Sequence, residues 1–580
     1  MDKIPFLTSI NSQFQLIIYT WKLFKKWCLS VINVFSAIAC VGVAIVLVLD
    51  FGFNLSDSNV AVFAQIKRYF LLYFFIDLIC RLLFQKGRLM YFIVHPMDIF
   101  ILYIFTYFSP SLSHYFYYSV SQIILLLIMV GRIGHLKHLV AWLKIKPSQL
   151  FVIGFLVAIF LGSLLLILPI STVSENGIPF IDALFTAFSA VCVTGLVVND
   201  VGTTFTVFGQ TVILLLIQIG GLGIMSFSVL IALIMHRKLS QKASLEIQEN
   251  YSTFNLSETY KASAFIFKLT LGVEILGAIA LFFFLIGDFS EWNQAAFYAL
   301  FHSVSAFCNA GFSLFPESLI SYSGHAPIIL IVSALIIVGG MGFPVLFNLA
   351  QRYKNPFTPI KVQTKLAIKV TAYLLVFGTL LIYLLEFNHG LQGLSVSHQL
   401  LVSFFQSVTS RTAGFNTIAL TDFHSVTLVV MMILMVIGAS PGSTGGGVKT
   451  TTLGVIVLSL IQVFKGGKKI EYSSRRIATI SVIRAYSAFF LAISIMVLFF
   501  SCLVLFESQP FIALLFETVS AFGTVGVSLV TTPVLSILGK TIIMILMFIG
   551  RIGPLTIATA FATPQKELGY EFPKERIGVM

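Results

Sequence analysis

Long apolar runs separated by short basic loops make up most of the chain. Four apolar segments come first, near residues 29–50, 69–84, 90–108 and 116–131. From about residue 148, a long apolar run is followed by a short apolar segment, a glycine-containing stretch and a second long run. A run of about 20 apolar residues crosses a bilayer as a helix, whereas a short segment can only dip in and return, buried among other helices. The pattern predicts an all-α polytopic membrane protein.

This three-part unit occurs four times and predicts a pore domain at 148–580, with repeats near 148–240, 260–352, 366–465 and 477–562. Basic loops follow the second long run of each unit, so that each unit begins and ends in the cytoplasm and its short segment enters from outside. Both termini are therefore predicted to be cytoplasmic. The predicted long helices are 149–170, 207–235, 262–287, 326–349, 367–387, 425–459, 479–506 and 537–560.

The four units share a glycine with similar residues before it. In three units Ser-Ala stands six and five positions before the glycine, whereas the third unit reads Val408-Thr409. A phenylalanine stands ten positions before each glycine. An internal repeat of this kind determines the fold before any single motif does. The glycines, 116, 103 and 112 residues apart, are Gly195, Gly311, Gly414 and Gly526, and the phenylalanines are Phe185, Phe301, Phe404 and Phe516.

Each aligned glycine is the third residue of a tetrad that follows the short segment. A ring of backbone carbonyls can replace the hydration water of an alkali cation without fixed charge. Glycine permits the backbone twist that turns consecutive carbonyls towards one axis. Four tetrads in register therefore predict an ion-selectivity filter, with close helix packing at small residues as the alternative. The tetrads are Val193-Thr194-Gly195-Leu196, Asn309-Ala310-Gly311-Phe312, Thr412-Ala413-Gly414-Phe415 and Thr524-Val525-Gly526-Val527.

A glycine-rich string at 438–449 interrupts the second long run of the third unit. Pro441 and the glycines break the helix, and hydroxyl side chains satisfy the backbone groups that the break frees. A plain kink is one alternative. A phosphate-binding loop is a poor one, because Val448 separates Gly447 from Lys449 and no strand precedes the string. Its polar and glycine residues are Gly438, Ser440, Gly442, Ser443, Thr444, Gly445, Gly446, Gly447 and Lys449.

Charged residues within apolar runs are the other unusual positions. Arg551 lies inside the run 541–562, where a buried arginine is costly without a partner. We expect it to donate hydrogen bonds to carbonyls of the 438–449 string. Arg411 and Glu517 are interpreted as an ion pair between neighbouring short helices, with direct ion binding as the alternative.

Composition agrees with a membrane protein and excludes other classes. The chain is 58% hydrophobic and only 10% charged, against about 25% in an average soluble domain. The net charge of +13 comes from short loops between apolar runs, so nucleic-acid binding is not predicted. The six cysteines and ten histidines show no metal-ligand spacing, and no nucleophile constellation is visible. Neither an enzyme nor a cofactor bound by this chain is predicted.

Residues 1–147 are predicted to form a separate unit of four membrane helices. Tyr73 and Asp77 are one turn apart on the second helix, Asp98 sits in the third, and the fourth ends in a basic stripe that begins at Arg132. The unit resembles a voltage-sensor module. However, the stripe holds one permanent charge, and moving one charge gains only about 2.3 kcal/mol per 100 mV. A packing or dimerisation bundle is the preferred interpretation.

Six motifs of the pore domain match one known family. They are Gln218-Ile-Gly-Gly-Leu-Gly223, Phe301-His-Ser-Val-Ser-Ala-Phe-Cys-Asn-Ala-Gly-Phe-Ser313, Gly339-Gly-Met-Gly-Phe-Pro344, Arg411-Thr-Ala-Gly-Phe-Asn-Thr417, Phe516-Glu-Thr-Val-Ser-Ala-Phe-Gly-Thr-Val-Gly526 and Gly550-Arg-Ile-Gly-Pro554. With them the chain resembles the Trk/Ktr/HKT superfamily of potassium transporters. The resemblance implies four M1-P-M2 repeats that form a potassium-channel-like pore, and a homodimer. It makes the 438–449 string, with Arg551, a gate below the filter.

The same resemblance implies what the protein transports and what regulates it. Gly195, in place of serine, resembles the potassium-selective members. The resemblance implies a cytosolic ring of nucleotide-binding regulatory subunits. Because this chain contains no recognisable nucleotide-binding domain, a regulatory nucleotide would bind to that separate partner. The function implied is potassium uptake across the plasma membrane by a multi-pass protein surrounded by lipid. The alternative is a symporter that couples potassium to sodium or protons.

Overall fold

The computed structural model describes residues 57–84, 147–174, 177–234, 259–467 and 469–554, together with residues 31–47 and a few isolated positions. Within these residues the chain is almost entirely helical, so the predicted fold class, an all-α polytopic membrane protein, is confirmed. The predicted segments near 90–108 and 116–131, with Asp98 and Arg132, lie outside the described residues.

Each of the four units contains a long helix, a short helix and a second long stretch that is broken. The first long helices lie within a few residues of their predicted positions. They are α3 (Pro147–Ile167), α6 (Thr259–Leu285), α10 (Val362–Glu386) and α14 (Thr479–Phe506). The short helices are α4 (Phe180–Val191), α7 (Trp292–Phe307), α11 (Val396–Thr409) and α15 (Phe511–Gly523).

The second long stretches are α5 (Val207–Ile234), α8 (Ala326–Gly340) with α9 (Phe343–Lys354), α12 (Ser425–Val436) with α13 (Thr450–Phe464), and α16 (Ile537–Ile552). The N-terminal helices are α1 (Trp27–Leu47) and α2 (Asp57–Phe84). A hairpin joins β1 (Glu471–Tyr472) to β2 (Arg475–Arg476). Single helical turns lie at Pro169–Ser171, Val201–Thr204, Ile286–Asp288, Ile320–Tyr322, Leu420–Asp422 and Thr532–Val534.

The second long stretch breaks in every unit, whereas the sequence predicted a break only in the third. Helices α8 and α9 meet at an angle of 96°, so the predicted continuous helix 326–349 is wrong. The breaks lie at glycines with positive φ: Gly223 at 62°, Gly342 at 88° and Gly553 at 89°. A backbone with positive φ is unfavourable for residues with a Cβ, and glycine adopts it freely. In the third unit, residues 437–449 form a non-helical loop between α12 and α13, close to the predicted string.

The four units are arranged in a closed circle. The second long stretch of each unit packs against the short helix of the next one: α5 on α7, α8 on α11, and α12 on α15. Helix α16 packs against α4, which joins the fourth unit to the first. The short helices are therefore buried at the centre, while outer helices expose large apolar side chains such as Phe283 and Phe490, as expected of a surface that faces lipid.

Candidate functional site

The four tetrads lie at the C-terminal ends of the short helices and share an unusual backbone. The first and third residue of each tetrad has a positive φ, and the residues between them do not. An alternation of this kind turns successive carbonyls to one side, unlike a regular strand, where they alternate. The positive angles are 55° at Val193, 58° at Asn309, 75° at Thr412, 51° at Thr524, 90° at Gly195, 71° at Gly311, 87° at Gly414 and 92° at Gly526.

The tetrad glycines form a ring in chain order. A Cβ added to Gly311 would lie 2.7 Å from the Ala413 carbonyl oxygen, and one on Gly414 would lie 2.6 Å from that of Val525. Additions at Gly195 and Gly526 would collide with the carbonyls of Ala310 and Thr194 in the same way. Each glycine thus touches the backbone of the next tetrad, and the fourth touches the first. Four backbones meet at one place where side chains do not fit.

Hydroxyl groups of the short helices hold the tetrads in place. The Ser189 hydroxyl accepts a hydrogen bond from the Gly195 amide at 3.0 Å, and the Ser520 hydroxyl accepts one from the Gly526 amide at 3.1 Å. The Ser305 hydroxyl instead donates to the Phe312 carbonyl at 2.7 Å. These bonds fix the tetrad against its own helix, so that the geometry of the ring is set without a bound ion.

The third unit is offset by one residue from the predicted alignment. Thr409, rather than Val408, supplies the hydroxyl and donates to the Phe415 carbonyl at 2.7 Å. The fully buried phenylalanine four residues before it is Phe405, whereas Phe404 is only partly buried. One residue fewer separates hydroxyl and glycine in this unit. The predicted equivalence of Phe404 is therefore wrong.

The loop at 437–449 lies against the inner end of the ring, the end at which the tetrads leave their short helices. The Gly446 amide donates to the Thr524 hydroxyl at 2.9 Å. The Thr444 hydroxyl lies 3.3 Å from the side-chain amide of Asn309. The Lys449 ammonium donates to the Gly445 carbonyl at 2.8 Å, within the loop itself. The loop is therefore bonded directly to two of the tetrads.

Arg551 joins this loop to the first unit. Its guanidinium donates to the carbonyl of Thr444, as the sequence predicted, and also to the carbonyl of Gly220 on α5, which the sequence did not predict. Arg551 is 9% exposed. A cavity of about 250 Å³ lies beside it and is lined by loop residues, α14 and the bend at Gly223 within α5. The arrangement places a fixed positive charge beside a cavity at the inner end of the ring.

Arg411 and Glu517 do not form the predicted ion pair. Glu517 accepts hydrogen bonds from the hydroxyls of Ser528, at 2.8 Å, and Thr532. The guanidinium of Arg411 lies 3.4 Å from the Thr371 hydroxyl. Arg411 follows the end of α11, whereas Glu517 lies in the middle of α15, so the two residues stand at different levels. The prediction of a pair is wrong.

A buried ion pair that the sequence did not predict links the fourth and first units. The Lys540 ammonium lies 2.7 Å from the Asp182 carboxylate, with about a tenth of each side chain exposed. Both residues are charges within largely apolar segments of the sequence. Residues 358 positions apart give no sequence signal of contact, because only the closure of the circle brings α16 to α4.

Glycines of the second long stretches are a further feature that sequence reasoning missed. Gly220, Gly339 and Gly550 each lie directly against the last carbonyl of a short helix, those of Val191, Phe307 and Phe522, and leave no space for a Cβ. The signal was present, since the pattern Gly-x-x-Gly recurs at 220–223, 339–342 and 550–553. Its first glycine permits the contact, and its last permits the bend.

In the N-terminal unit, Asp77 has a partner on its own helix. The Arg81 guanidinium lies 2.8 Å from the Asp77 carboxylate and 2.7 Å from the Asn33 side chain of α1. Helix α2 begins at Asp57 rather than near 69, so Lys67 lies within it and is buried. A buried pair that ties two helices together is what a packing bundle requires, and the likeness to a voltage sensor stays untested.

A ring of four glycine-containing backbones within one membrane chain, with a loop bonded to its inner end, is an arrangement suited to a cation transport protein. The family model described as "TrkH: Cation transport protein" matches residues 152–569, so the chain belongs to the TrkH family of cation transport proteins, as the motifs predicted. Residues 1–147 lie outside the match.

Named relatives and a solved structure agree with this assignment. The chain is 41% identical over 434 residues to the Ktr system potassium uptake protein B of Bacillus subtilis, a match that covers 74% of this chain and 96% of that protein. It is 37% identical over 447 residues to the potassium/sodium uptake protein NtpJ of Enterococcus hirae, covering 75% and 97%. The crystal structure of the potassium transporter TrkH from Vibrio parahaemolyticus has the same fold, with a TM-score of 0.60 at 18% identity, covering 87% and 98%.

Proposed function

We propose that this protein takes up potassium across the plasma membrane, down its electrochemical gradient. The observation that carries the proposal is the closed ring of tetrads, with alternating backbone angles and no space for side chains. Backbone carbonyls carry partial negative charge and replace the water oxygens of an alkali cation. The names of the Bacillus subtilis and Enterococcus hirae relatives both include potassium.

We assign the selectivity filter to the four tetrads. Hydrogen bonds that the Gly195 and Gly526 amides donate to the hydroxyls of Ser189 and Ser520 hold two of them in place before an ion arrives. A filter held in this way need not rearrange to bind the cation, which supports selectivity between ions of different size. The alternative, that the glycines only allow close helix packing, does not account for the alternating φ angles, because packing requires small residues but not a turned backbone.

We assign the gate to residues 438–449 with Arg551. The loop is bonded to the inner end of the ring through Thr524 and Asn309, and Arg551 bonds it to α5. A cation that leaves the ring on this side meets the loop and a fixed positive charge. Movement of the loop would therefore open the path without altering the filter.

A second candidate is transport of potassium together with sodium, by symport or through a filter that accepts both ions. One observation favours it: the Enterococcus hirae relative is named a potassium/sodium uptake protein. Flux of the two ions in a fixed ratio would support the symporter, and potassium flux that is independent of sodium and of pH would exclude it.

The remaining assignments concern organisation. We assign residues 148–580 to the pore domain and residues 1–147 to an accessory unit, with both termini in the cytoplasm. Homodimer formation and a cytosolic ring of nucleotide-binding subunits remain part of the proposal. The Ktr system relatives carry names of multi-protein systems, which supports a separate partner.

Growth of a bacterium that lacks its own potassium uptake systems tests the proposed function. We expect the chain to restore growth at low potassium and to accelerate uptake of the potassium tracer ⁸⁶Rb⁺. Correctly inserted protein that gives neither growth nor tracer uptake would contradict the proposal. Because a missing partner subunit would leave the gate closed in cells and in liposomes alike, a chain lacking Gly445–Gly447 is measured in parallel.

A further inference from the structure

The loop contacts the first residue of three tetrads, and in each case the contact involves a polar side chain. The Gly446 amide donates to the Thr524 hydroxyl at 2.9 Å, and the Thr444 hydroxyl lies 3.3 Å from the Asn309 amide. A Cβ on Gly445 would collide with the Thr412 hydroxyl. The first residue of the remaining tetrad is Val193, which has no polar side chain. Three of the four tetrads therefore present a polar side chain to the loop, and we call Asn309, Thr412 and Thr524 together the docking site of the loop.

Burial makes the contact with Thr524 costly to lose. Thr524 is 0% exposed and Gly446 is also buried. A buried amide that loses its acceptor and gains no water carries the full cost of desolvation. When the loop moves away, water or a passing ion can reach both groups. The bond therefore favours the docked loop over any state in which the loop is shifted but still dry.

Close contact with the same tetrad side chains also explains why the loop has glycine at positions 445 and 446. A Cβ on Gly446 would lie 2.5 Å from the Thr524 hydroxyl and 3.0 Å from the Gly550 carbonyl oxygen. Gly445 is restricted in the same way by Thr412. A helix break alone requires one or two glycines anywhere in the string, whereas docking against tetrad side chains requires them at these two positions.

We propose that Thr524 is a positioning residue of the filter that acts as a latch. Its hydroxyl accepts a hydrogen bond from the Gly446 amide and so holds the loop closed. This proposal rests on the gate assignment above and adds the atom through which filter and gate are joined. The Val193 side chain of the first unit offers no acceptor. There Arg551 holds the loop instead, because its guanidinium donates both to the Thr444 carbonyl of the loop and to the Gly220 carbonyl of α5. The loop is thereby bonded to the second and fourth tetrads directly, and to the first unit through Arg551.

Substitution of Thr524 tests the latch. Thr524→Val keeps the shape of the side chain and removes the acceptor, whereas Thr524→Ser keeps the hydroxyl. We expect Thr524→Val to raise basal ⁸⁶Rb⁺ flux in liposomes about five-fold, the ratio that the net free energy of one neutral hydrogen bond gives. Thr524→Ser restores the acceptor and should reverse most of that increase. Thr518→Val is the matched control, because the Thr518 hydroxyl bonds only within α15, to the Leu514 carbonyl at 2.7 Å.

A second background separates the latch from a direct role of Thr524 in the filter. In a chain lacking Gly445–Gly447 the Thr524 hydroxyl has no Gly446 amide to bind, so Thr524→Val should add no further flux. The ratio of Rb⁺ to Na⁺ flux should be the same in wild type and Thr524→Val. A further increase in the deleted background, or a changed ratio, would overturn the proposal. So would a basal flux equal to that of wild type.

Gly446→Ala approaches the same contact from the loop and decides the matter if Thr524→Val does not fold. We expect it to raise basal flux at unchanged Rb⁺/Na⁺ ratio, and unchanged flux would overturn the latch. Failure of the latch is distinguishable from failure of the proposed function. In the first case wild-type protein conducts Rb⁺ and the variants match it, whereas in the second case wild-type protein conducts none.

Discussion

At the scale of single residues, the tetrad glycines are determined by their neighbours rather than by their own helix. Gly195 has a φ of 90° and lies against the backbone of Ala310 and Gly311, which belong to another unit. A local pattern cannot show such a contact. The sequence nevertheless predicted the four glycines, because the same short segment precedes each of them.

Gly195→Ser is the most informative change at this scale. A serine Cβ would overlap the Ala310 carbonyl, so the backbone of two adjacent tetrads must shift. We expect potassium preference over sodium to fall, with Rb⁺ and Na⁺ uptake measured at equal amounts of protein in the membrane. Gly272→Ser is the matched control, since no atom of the described residues lies within 4 Å of a Cβ at Gly272. An unchanged ratio of Rb⁺ to Na⁺ uptake would contradict the assignment of Gly195 to the filter.

The offset of the third unit shows where residue-level reading of the sequence failed. Aligned on the glycine, the third unit seemed to lack the hydroxyl, because Val408 stands where the other units have serine. In the structure Thr409 provides it, one position later, and Phe405 shifts with it. A one-residue deletion is invisible to an alignment without gaps, although the hydrogen bond to the last tetrad carbonyl is the same as in the second unit.

At the scale of helices, apolar length predicted the outer helices and failed at the breaks. Helices α6, α10 and α14 are long and apolar enough to cross a membrane, and hydropathy is sufficient to find them. The bend between α8 and α9 leaves the apolar run uninterrupted, so hydropathy does not detect it. Contact with the loop at 437–449 coincides with this bend, since the Phe343 amide donates to the Gly442 carbonyl at 3.0 Å.

The Asp182–Lys540 pair tests how the helices of the first and fourth units are joined. Removing one member of a buried pair leaves an unpaired charge, which typically costs about 3–5 kcal/mol. Lys540→Met should therefore lower the thermal unfolding midpoint of the purified protein, and the double variant with Asp182→Asn should recover most of the loss. Lys268→Met, at an exposed position of α6, is the control. A double variant no more stable than Lys540→Met would contradict this role.

At the scale of the whole molecule, the circle of units accounts for both predicted and missed features. Each unit is incomplete alone, because its short helix is covered by the second long stretch of the preceding unit. Closure of the circle brings Arg551 to Thr444 and Gly220, which are 107 and 331 residues away. The sequence predicted that Arg551 needs carbonyl partners, but the identity of the second partner depends on closure.

The central claim is that the ring of tetrads binds a potassium-like cation on its axis. The most direct measurement is a structure of the purified protein in thallium or rubidium, with anomalous density mapped around Gly195, Gly311, Gly414 and Gly526. We predict discrete density within the ring, on the axis that the four glycines share. It should weaken when sodium replaces the heavier cation. A ring without density at saturating cation, in protein that transports ⁸⁶Rb⁺, would contradict the claim and leave the glycines with packing alone.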